Sequence, residues 1–299
     1  RRLAYARHLT RGDHPLTGRA FVNRLWLHHF GRGLVSTPGD FGLAGEKPSH
    51  PRLLDWLAGE LVRQDWDQKR LHRLIVSSRT YRQQSARRAD HEAVDPENRL
   101  LARASLRRLE AEAIRDAILA VSGQLNTALG GPSLPVTENG EGKVVIGTQI
   151  IKDGIPVGAD GGGADPYRRS AYVEVNRRLP LNVLATFGQP AMIPNCDQRR
   201  HATVSTQALW FLNDQLMVGQ AETLAWDLET TLVHEEERLN QLFLRLFSRP
   251  PTEEERRSCQ EFMAEQKLSF SSDEKEPGSM ALASLCQVLL ASNRFLYID

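Results

Sequence analysis

What is scarce in this chain narrows its function first. Only three cysteines occur in 299 residues, at positions 196, 259 and 286. Their number is odd, their spacing is wide, and neither C-x-x-C nor C-x-x-C-H occurs. A thiolate zinc site and covalent haem attachment are therefore not encoded, and no metal or cofactor is expected in the chain. Cys286 lies in the apolar run LASLCQVLLAS and reads as a core residue, whereas Cys196 sits in a polar loop after Pro194 and Asn195. No apolar run approaches the roughly 20 residues that span a bilayer, so no transmembrane segment is expected. The net charge of +1 gives no global field for nucleic acid. Short catalytic signatures are missing too. There is no G-x-S-x-G elbow and no H-E-x-x-H helix, and Gly142-Lys143 runs into Val144 with the wrong spacing for a phosphate loop. Asp40-Phe41-Gly42 matches the magnesium triplet of protein kinases, but the glycine-rich loop, strand lysine and H-R-D loop that accompany it there do not occur.

What is present is ordinary in bulk and uneven in detail. Hydrophobic residues make up 40% and charged residues 25%, a balance suited to a globular fold. Residues 1–130 hold 22 basic and 14 acidic side chains, net +8, while residues 221–280 hold 7 and 14, net −7. Either the two regions neutralise or avoid one another, or the basic one is a surface for an anionic partner such as an acidic glycan. The chain opens on Arg1 instead of Met, so a longer parent protein is expected.

Apolar spacing predicts mainly helix. A first helix over 16–30 carries Val22, Leu25, Trp26 and His29 on one face. Pro51 suits the first position of a helix near 51–64, with Leu53, Leu54, Leu57 and Leu61 inward. Asp67 caps a third, with Leu71, Leu74, Ile75 and Ser78 as its stripe. A fourth spans about 107–128 with Ile114, Ala117, Ile118, Val121 and Leu125 inward, and ends at Gly130-Gly131-Pro132. Over 131–175 glycines and β-branched runs (KVVIGTQI, SAYVEV) predict short strands or a long ordered loop, with GADGGGAD as a tip. Helical spacing returns at about 204–229, 234–248, 252–267 and 280–295, and Thr252 with Glu255 forms a capping box. The predicted fold is mainly α, a multi-helical domain with a small β insertion. Its parts are a basic N-terminal half over 1–130, the insertion over 131–179, and a C-terminal helical half over 180–299, all within one domain.

The candidate site residues fall in two groups. His28 and His29 are helix neighbours about 100° apart and cannot chelate one ion as an i, i+4 pair would. His29 continues the apolar face and reads as a hydrogen-bonded core histidine. His28, four residues after Arg24 and off that face, instead suits a polar cleft with Asn23, Arg32, Asp40 or His50. Gly31 and Gly33 suit a left-handed helix end. On the fourth helix Glu112, Arg115 and Asp116 lie within one turn. They form either a salt-bridged face or a paired-carboxylate site. A buried apolar helix tolerates charge only when it is paired, so Arg24 or Arg32 is expected to meet Glu112 or Asp116. Arg199 sits in a double-arginine pair, as do Arg107-Arg108, Arg168-Arg169 and Arg177-Arg178, and such pairs suit bidentate anion contacts.

Several long runs bear a resemblance. HPLTGRAFVNRLWLHHFGRGLV from His14, TPGDFGLAGEKPSHPRLLDWLA, LHRLIVSSRTYRQQS, DPENRLLARASLRRLEAEAIRDAILAVSGQL and TQALWFLND are similar to a planctomycete domain of unknown function. That domain forms the C-terminal part of large proteins, which often carry a c-type-cytochrome-like module and a second uncharacterised domain ahead of it. The resemblance extends from residue 1 to SNRFLYID. It implies a bacterial, exported parent, placed in the periplasm or at the cell surface, with the cytochrome module as a neighbour. Cys196, Arg199, Gln207, Asn213 and Asp214 match the family pattern. Two places depart from it: TFGQPAMIPNCDQRR has Gly188 and Ala191 in an otherwise aspartate-rich segment, and Arg294 stands where glutamate is usual. If the missing aspartate is catalytic in relatives, this member lacks that activity.

Two readings of function follow. In the first, the chain is an accessory or scaffold module that binds another domain, a partner or a glycan, with Asn23, Arg24, Arg32, His50, Cys196 and Arg199 as ligand-binding candidates. In the second, it is an enzyme of glycan or small-molecule processing, redox-coupled to the cytochrome module, with His28, Asp40, Glu112, Arg115 and Asp116 as catalytic candidates. A concave site joining His28, Asp40, Glu112 and Arg115 favours the second; dispersed or separately paired groups favour the first.

Overall fold

Helix formation follows the apolar spacing through most of the chain. The computed structural model describes residues 1–152, 155–160, 165–190, 196–199, 203–270 and 276–298. Among these, thirteen α-helices account for most of the regular structure, and no helix is long and apolar enough to cross a membrane. The chain divides into two units. The first holds residues 1–107 and 196–198; the second holds residues 108–190 and 199–298.

The first unit contains α1 (Arg2–Leu9), α2 (Thr17–Phe30), α3 (Pro51–Arg63), α4 (Gln68–Val76) and α5 (Ala89–Val94). Val22 and Trp26 of α2 pack with Leu54, Leu57 and Leu61 of α3, and Leu71 and Ile75 of α4 complete the cluster with Leu34 and Val35. Pro51 does open α3, and Asp67 caps α4 by accepting the Arg70 N–H at 3.1 Å. Leu74 departs from the expected stripe and is exposed. A nine-residue helix buries one seam, and the 71–75 seam leaves position 74 about 100° away from Ile75. Gly31 ends α2 in the left-handed region (φ 77°), its N–H bonded to the Leu27 carbonyl at 2.8 Å. At Gly33 any side chain would strike the Val35 carbonyl and the Asn23 amide. That close approach lets fully buried Asn23 bind both backbone groups of Val35, donating to its carbonyl at 3.0 Å and accepting its N–H at 2.8 Å.

The second unit begins as β1 (Arg107–Arg108) gives way to α6 (Ala111–Val121). The expected helix over 107–128 is therefore shorter. Its start is extended chain, and Gly123 at φ 77° stops it, because the left-handed glycine turns the chain out of the helix. Strands then fall where glycine and β-branched residues alternate. β2 (Val136–Glu138) pairs antiparallel with β3 (Val144–Ile146), and β4 (Thr148–Lys152) pairs antiparallel with β5 (Ile155–Asp160). The Asn139 carboxamide closes the β2–β3 turn by accepting the N–H groups of Glu141 and Lys143. Residues 161–164 of the GADGGGAD tip, and Ala191, lie outside the described residues.

The helical remainder comprises α7 (Asn182–Thr186), α8 (Ser205–Asn213), α9 (Gln215–Thr231), α10 (Glu235–Phe247), α11 (Glu253–Ser269), α12 (Pro277–Leu290) and α13 (Asn293–Leu296), followed by β6 (Tyr297–Ile298). The expected helix over 204–229 is two helices. Asp214 is extended and accepts the Leu216 N–H at 3.0 Å, capping α9 where α8 stops. The expected helix over 280–295 is likewise divided, at Ala291–Ser292. The Thr252–Glu255 capping box is present. One apolar core joins α6, α7, α8, α9, α10, α11 and α12, with Ile118, Leu184, Phe211, Leu224, Leu242 and Cys286 at its centre.

Candidate functional site

The charged cluster of α6 resolves into two separate anchors. Arg115 is 1% exposed. It donates to the Arg168 carbonyl and the Ser170 Oγ, each at 3.0 Å, to the Pro166 carbonyl at 2.5 Å and to Asp116 at 3.3 Å. Asp116 in turn accepts the Ser170 N–H at 2.8 Å and its O–H at 2.7 Å. Burial pulls the Arg115 pKa down, and the adjoining Asp116 charge and hydrogen bond oppose it. The pair ties the loop over 166–170 to α6, so that a buried charge has partners on every side.

Glu112 looks elsewhere. Its two carboxylate oxygens take a bidentate contact from Arg199 at 2.5 and 3.1 Å, with Glu110 at 3.4 Å from the same guanidinium. Burial pushes the Glu112 pKa up, but the Arg199 hydrogen bonds, its own backbone N–H and the Arg199 charge outweigh this and leave it below its ordinary value. A general acid needs a raised pKa, and Glu112 has the opposite. The i, i+4 carboxylates share a helix side but not a site. Nearby, Arg108 donates to the Gln207 Oε1 at 2.7 Å and lies over the Phe187 ring, while Gln207 donates to the Thr186 carbonyl at 2.9 Å. Gln207 and Asp214 hold helix ends, and Asn213 donates back to Leu209 within its helix.

In the first unit the candidates disperse. Asn23 is spent on Val35. Arg24 and His28 are exposed. Arg32 pairs with Glu97 at 3.4 Å. Asp40 accepts the Gly42 N–H at 2.7 Å in a tight turn, and the exposed Cys196 thiol donates to the Gln198 carbonyl two residues on at 3.6 Å. Each side of the ion pair expected between Arg24 or Arg32 and Glu112 or Asp116 thus has partners or exposure within its own unit. His29 is bonded as expected: its Nε2 lies 2.7 Å from the His72 Nδ1, with Tyr81 edge-on at 5.5 Å. Burial, His72, Arg107 and His28 all hold the His29 pKa below its ordinary value. Among the described residues no group of three His, Cys, Asp or Glu side chains gathers as metal ligands would.

His50 has a different setting from the cleft expected with His28. It lines a cavity of about 340 Å³ with Ser49, Val94, Asp95, Arg99 and Leu100. The loop after α5 is held by its own side chains. Asp95 accepts the N–H groups of Arg99 at 2.9 Å and Leu100 at 2.7 Å. The Leu100 bond, the largest cause, then the Arg99 bond and the Arg99 and Arg103 charges outweigh desolvation and depress its pKa. Asn98, buried at φ 52°, donates to the Arg103 carbonyl at 2.8 Å and the Ser105 Oγ at 3.2 Å. Sequence reasoning did not single out Arg99, Asp95 or Asn98. Their signal was the turn composition of DPENR, where Asp and Asn bind backbone locally and favour tight turns.

A family model for proteins of unknown function, PSD1 (DUF1553), matches residues 1–263. The chain belongs to this family. No curated protein and no solved structure shows significant similarity to it.

Proposed function

We propose that the chain is an accessory binding module of a larger, exported bacterial protein, and that its basic first unit engages an anionic glycan. The observation that carries this is how the charged groups are used. In the second unit the side chains proposed for acid–base chemistry, Glu112, Arg115 and Asp116, are all occupied as anchors. In the first unit Arg24, Arg52 and Arg99 are exposed, and their guanidinium groups form no ion pair among the described residues. Residues 1–107 carry 20 basic and 11 acidic side chains, net +9, enough to attract a polyanion at moderate ionic strength. The test is retention of the purified chain on immobilised polygalacturonate, eluted with a salt gradient. Salt-sensitive retention is expected, and passage through the column at low salt would refute the reading. The exported setting and the cytochrome neighbour belong to the same proposal. Recovery of the parent protein in the cytoplasmic fraction of its host would overturn that part.

A further inference from the structure

We propose that the cavity at the start of α3 binds one hydroxylated carboxylate of the sugar-acid class, a uronic acid residue; this rests on the glycan reading above and names its site. The cavity, about 340 Å³, lies at the lower end of the range for small-molecule pockets, roughly 300–1,000 Å³, which suits a single ring. Its chemistry can be read group by group. The Ser49 Oγ donates its one hydrogen to the Leu34 carbonyl at 3.2 Å. It also lies 3.0 Å from the His50 Nδ1, so there it must accept, and Nδ1 carries the proton. That contact uses Nδ1 and leaves the His50 Nε2 for a ligand hydroxyl.

Arg99, a planar fork matched to a carboxylate, lines the same cavity. Of its two neighbouring acids, Glu97 is held by Arg32, while the Asp95 carboxylate lines the same cavity and feels the Arg99 charge. Both oxygens of Asp95 already accept backbone N–H bonds, but each carboxylate oxygen has a second lone pair, which a ligand hydroxyl can reach. Val94 and Leu100, 80% and 65% exposed, supply apolar surface for the C–H face of a ring. One cationic fork, two hydroxyl acceptors and an apolar wall describe a ligand with a carboxylate, several hydroxyls and a carbon face. A neutral sugar leaves Arg99 unused, and a simple carboxylate leaves His50 and Asp95 unused. The loop is preorganised by Asn98 and Asp95, so little ordering opposes binding.

The probes are sodium D-galacturonate, D-glucose and acetate, titrated into the full chain by calorimetry at millimolar concentration. Galacturonate should bind, with glucose and acetate each weaker by at least about tenfold. Arg99→Gln should weaken galacturonate by a similar factor, with the melting temperature unchanged because Arg99 is exposed, and half-buried His50→Ala should weaken it by several-fold. No binding of galacturonate, equal binding of glucose, or full affinity in Arg99→Gln each overturns the proposal. Polygalacturonate retention by the same variants separates the two claims. Retention that ignores Arg99→Gln removes the cavity and leaves the glycan reading, whereas galacturonate binding without polymer retention keeps the cavity and removes that reading.

Discussion

The two units handle charge in opposite ways. The second encloses it: Arg115 sits at 1% exposure inside a ring of carbonyls, and 28 apolar residues form the buried cluster beside it. The first leaves its charge outside and its core small. Nine buried apolar residues hold it together, and its fully buried polar side chain, Asn23, is uncharged. Buried charge serves to fix a loop against a helix where the surrounding core can bear its desolvation. Unpaired surface charge adds little to stability and is available for something outside the protein. The comparison teaches that the residue types most suggestive of catalysis, a carboxylate pair with an arginine, are structural in the unit that has them. The groups without an ion pair among the described residues, Arg24, Arg52 and Arg99, lie in the first unit, which also holds the catalytic candidates His28 and Asp40.

The largest effect that tests this contrast is loss of the buried guanidinium. Arg115→Ala strands Asp116 and three backbone or hydroxyl acceptors, and should destabilise the second unit by about 3–5 kcal/mol. Differential scanning calorimetry should show the upper transition falling while the lower one, assigned to the small-cored first unit, stays in place. A common shift of both transitions breaks the comparison. Asn23→Ala is the counterpart in the first unit. It leaves the Val35 N–H and carbonyl buried without a partner, at a cost of about 1–3 kcal/mol, and should lower only the first transition.

How much of this was legible depends on the range of the interaction. Helices α2, α3 and α10, the capping box at Thr252 and the strands within 131–175 follow from spacing inside one segment, and the structure shows them. The boundaries at Gly123 and Asp214 were hidden because the apolar period runs on through both positions, and only backbone geometry ends the helix. Partners were hidden for a different reason. Glu112 and Arg199 are 87 residues apart, Arg115 and Ser170 are 55 apart, and nothing in one sequence ranks Arg199 above Arg24 or Arg32 as the mate of Glu112. Arg294 is a clearer case. The resemblance leads one to expect glutamate at this position, and the arginine there donates to Glu255. The Arg249 hydrogen bond, the capping box and Arg294 together hold that carboxylate well below the usual range. Arg294 thus lands on an acid already committed to a helix cap.

The histidine pair gives a smaller and pH-dependent test. A 2.7 Å contact between two ring nitrogens needs one donor and one acceptor, so a neutral pair fits and a doubly protonated pair does not. The folded pKa of His29 lies below its unfolded value, with burial first among the causes, then His72, Arg107 and His28. In that case the stability it contributes is fully present above the unfolded pKa, about 6.5, and is lost as pH falls through the lower folded value. The first transition should therefore drop on acidification below pH about 6.5, and His72→Gln should flatten that dependence. An unchanged slope in the variant would show that the pair does not set it.

The smallest effect decides the most about function. Glu112→Gln removes one charge from a half-buried bidentate pair with Arg199, whose side chain is 26% exposed against 30% for Glu112. Exposure on both sides limits the stability loss to about 1 kcal/mol. Its pH signature has a definite sign. The folded pKa of Glu112 is depressed, so the pair stabilises above the unfolded pKa and loses that contribution as pH falls through the folded value. Glutamine has no such titration, and wild-type and variant melting temperatures should converge below that point. Glycan retention should not change, since the binding groups assigned above belong to the first unit. If Glu112→Gln instead abolishes retention at unchanged stability, the carboxylate contacts the ligand. The contrast between a structural second unit and a binding first unit then fails at its most exposed anchor.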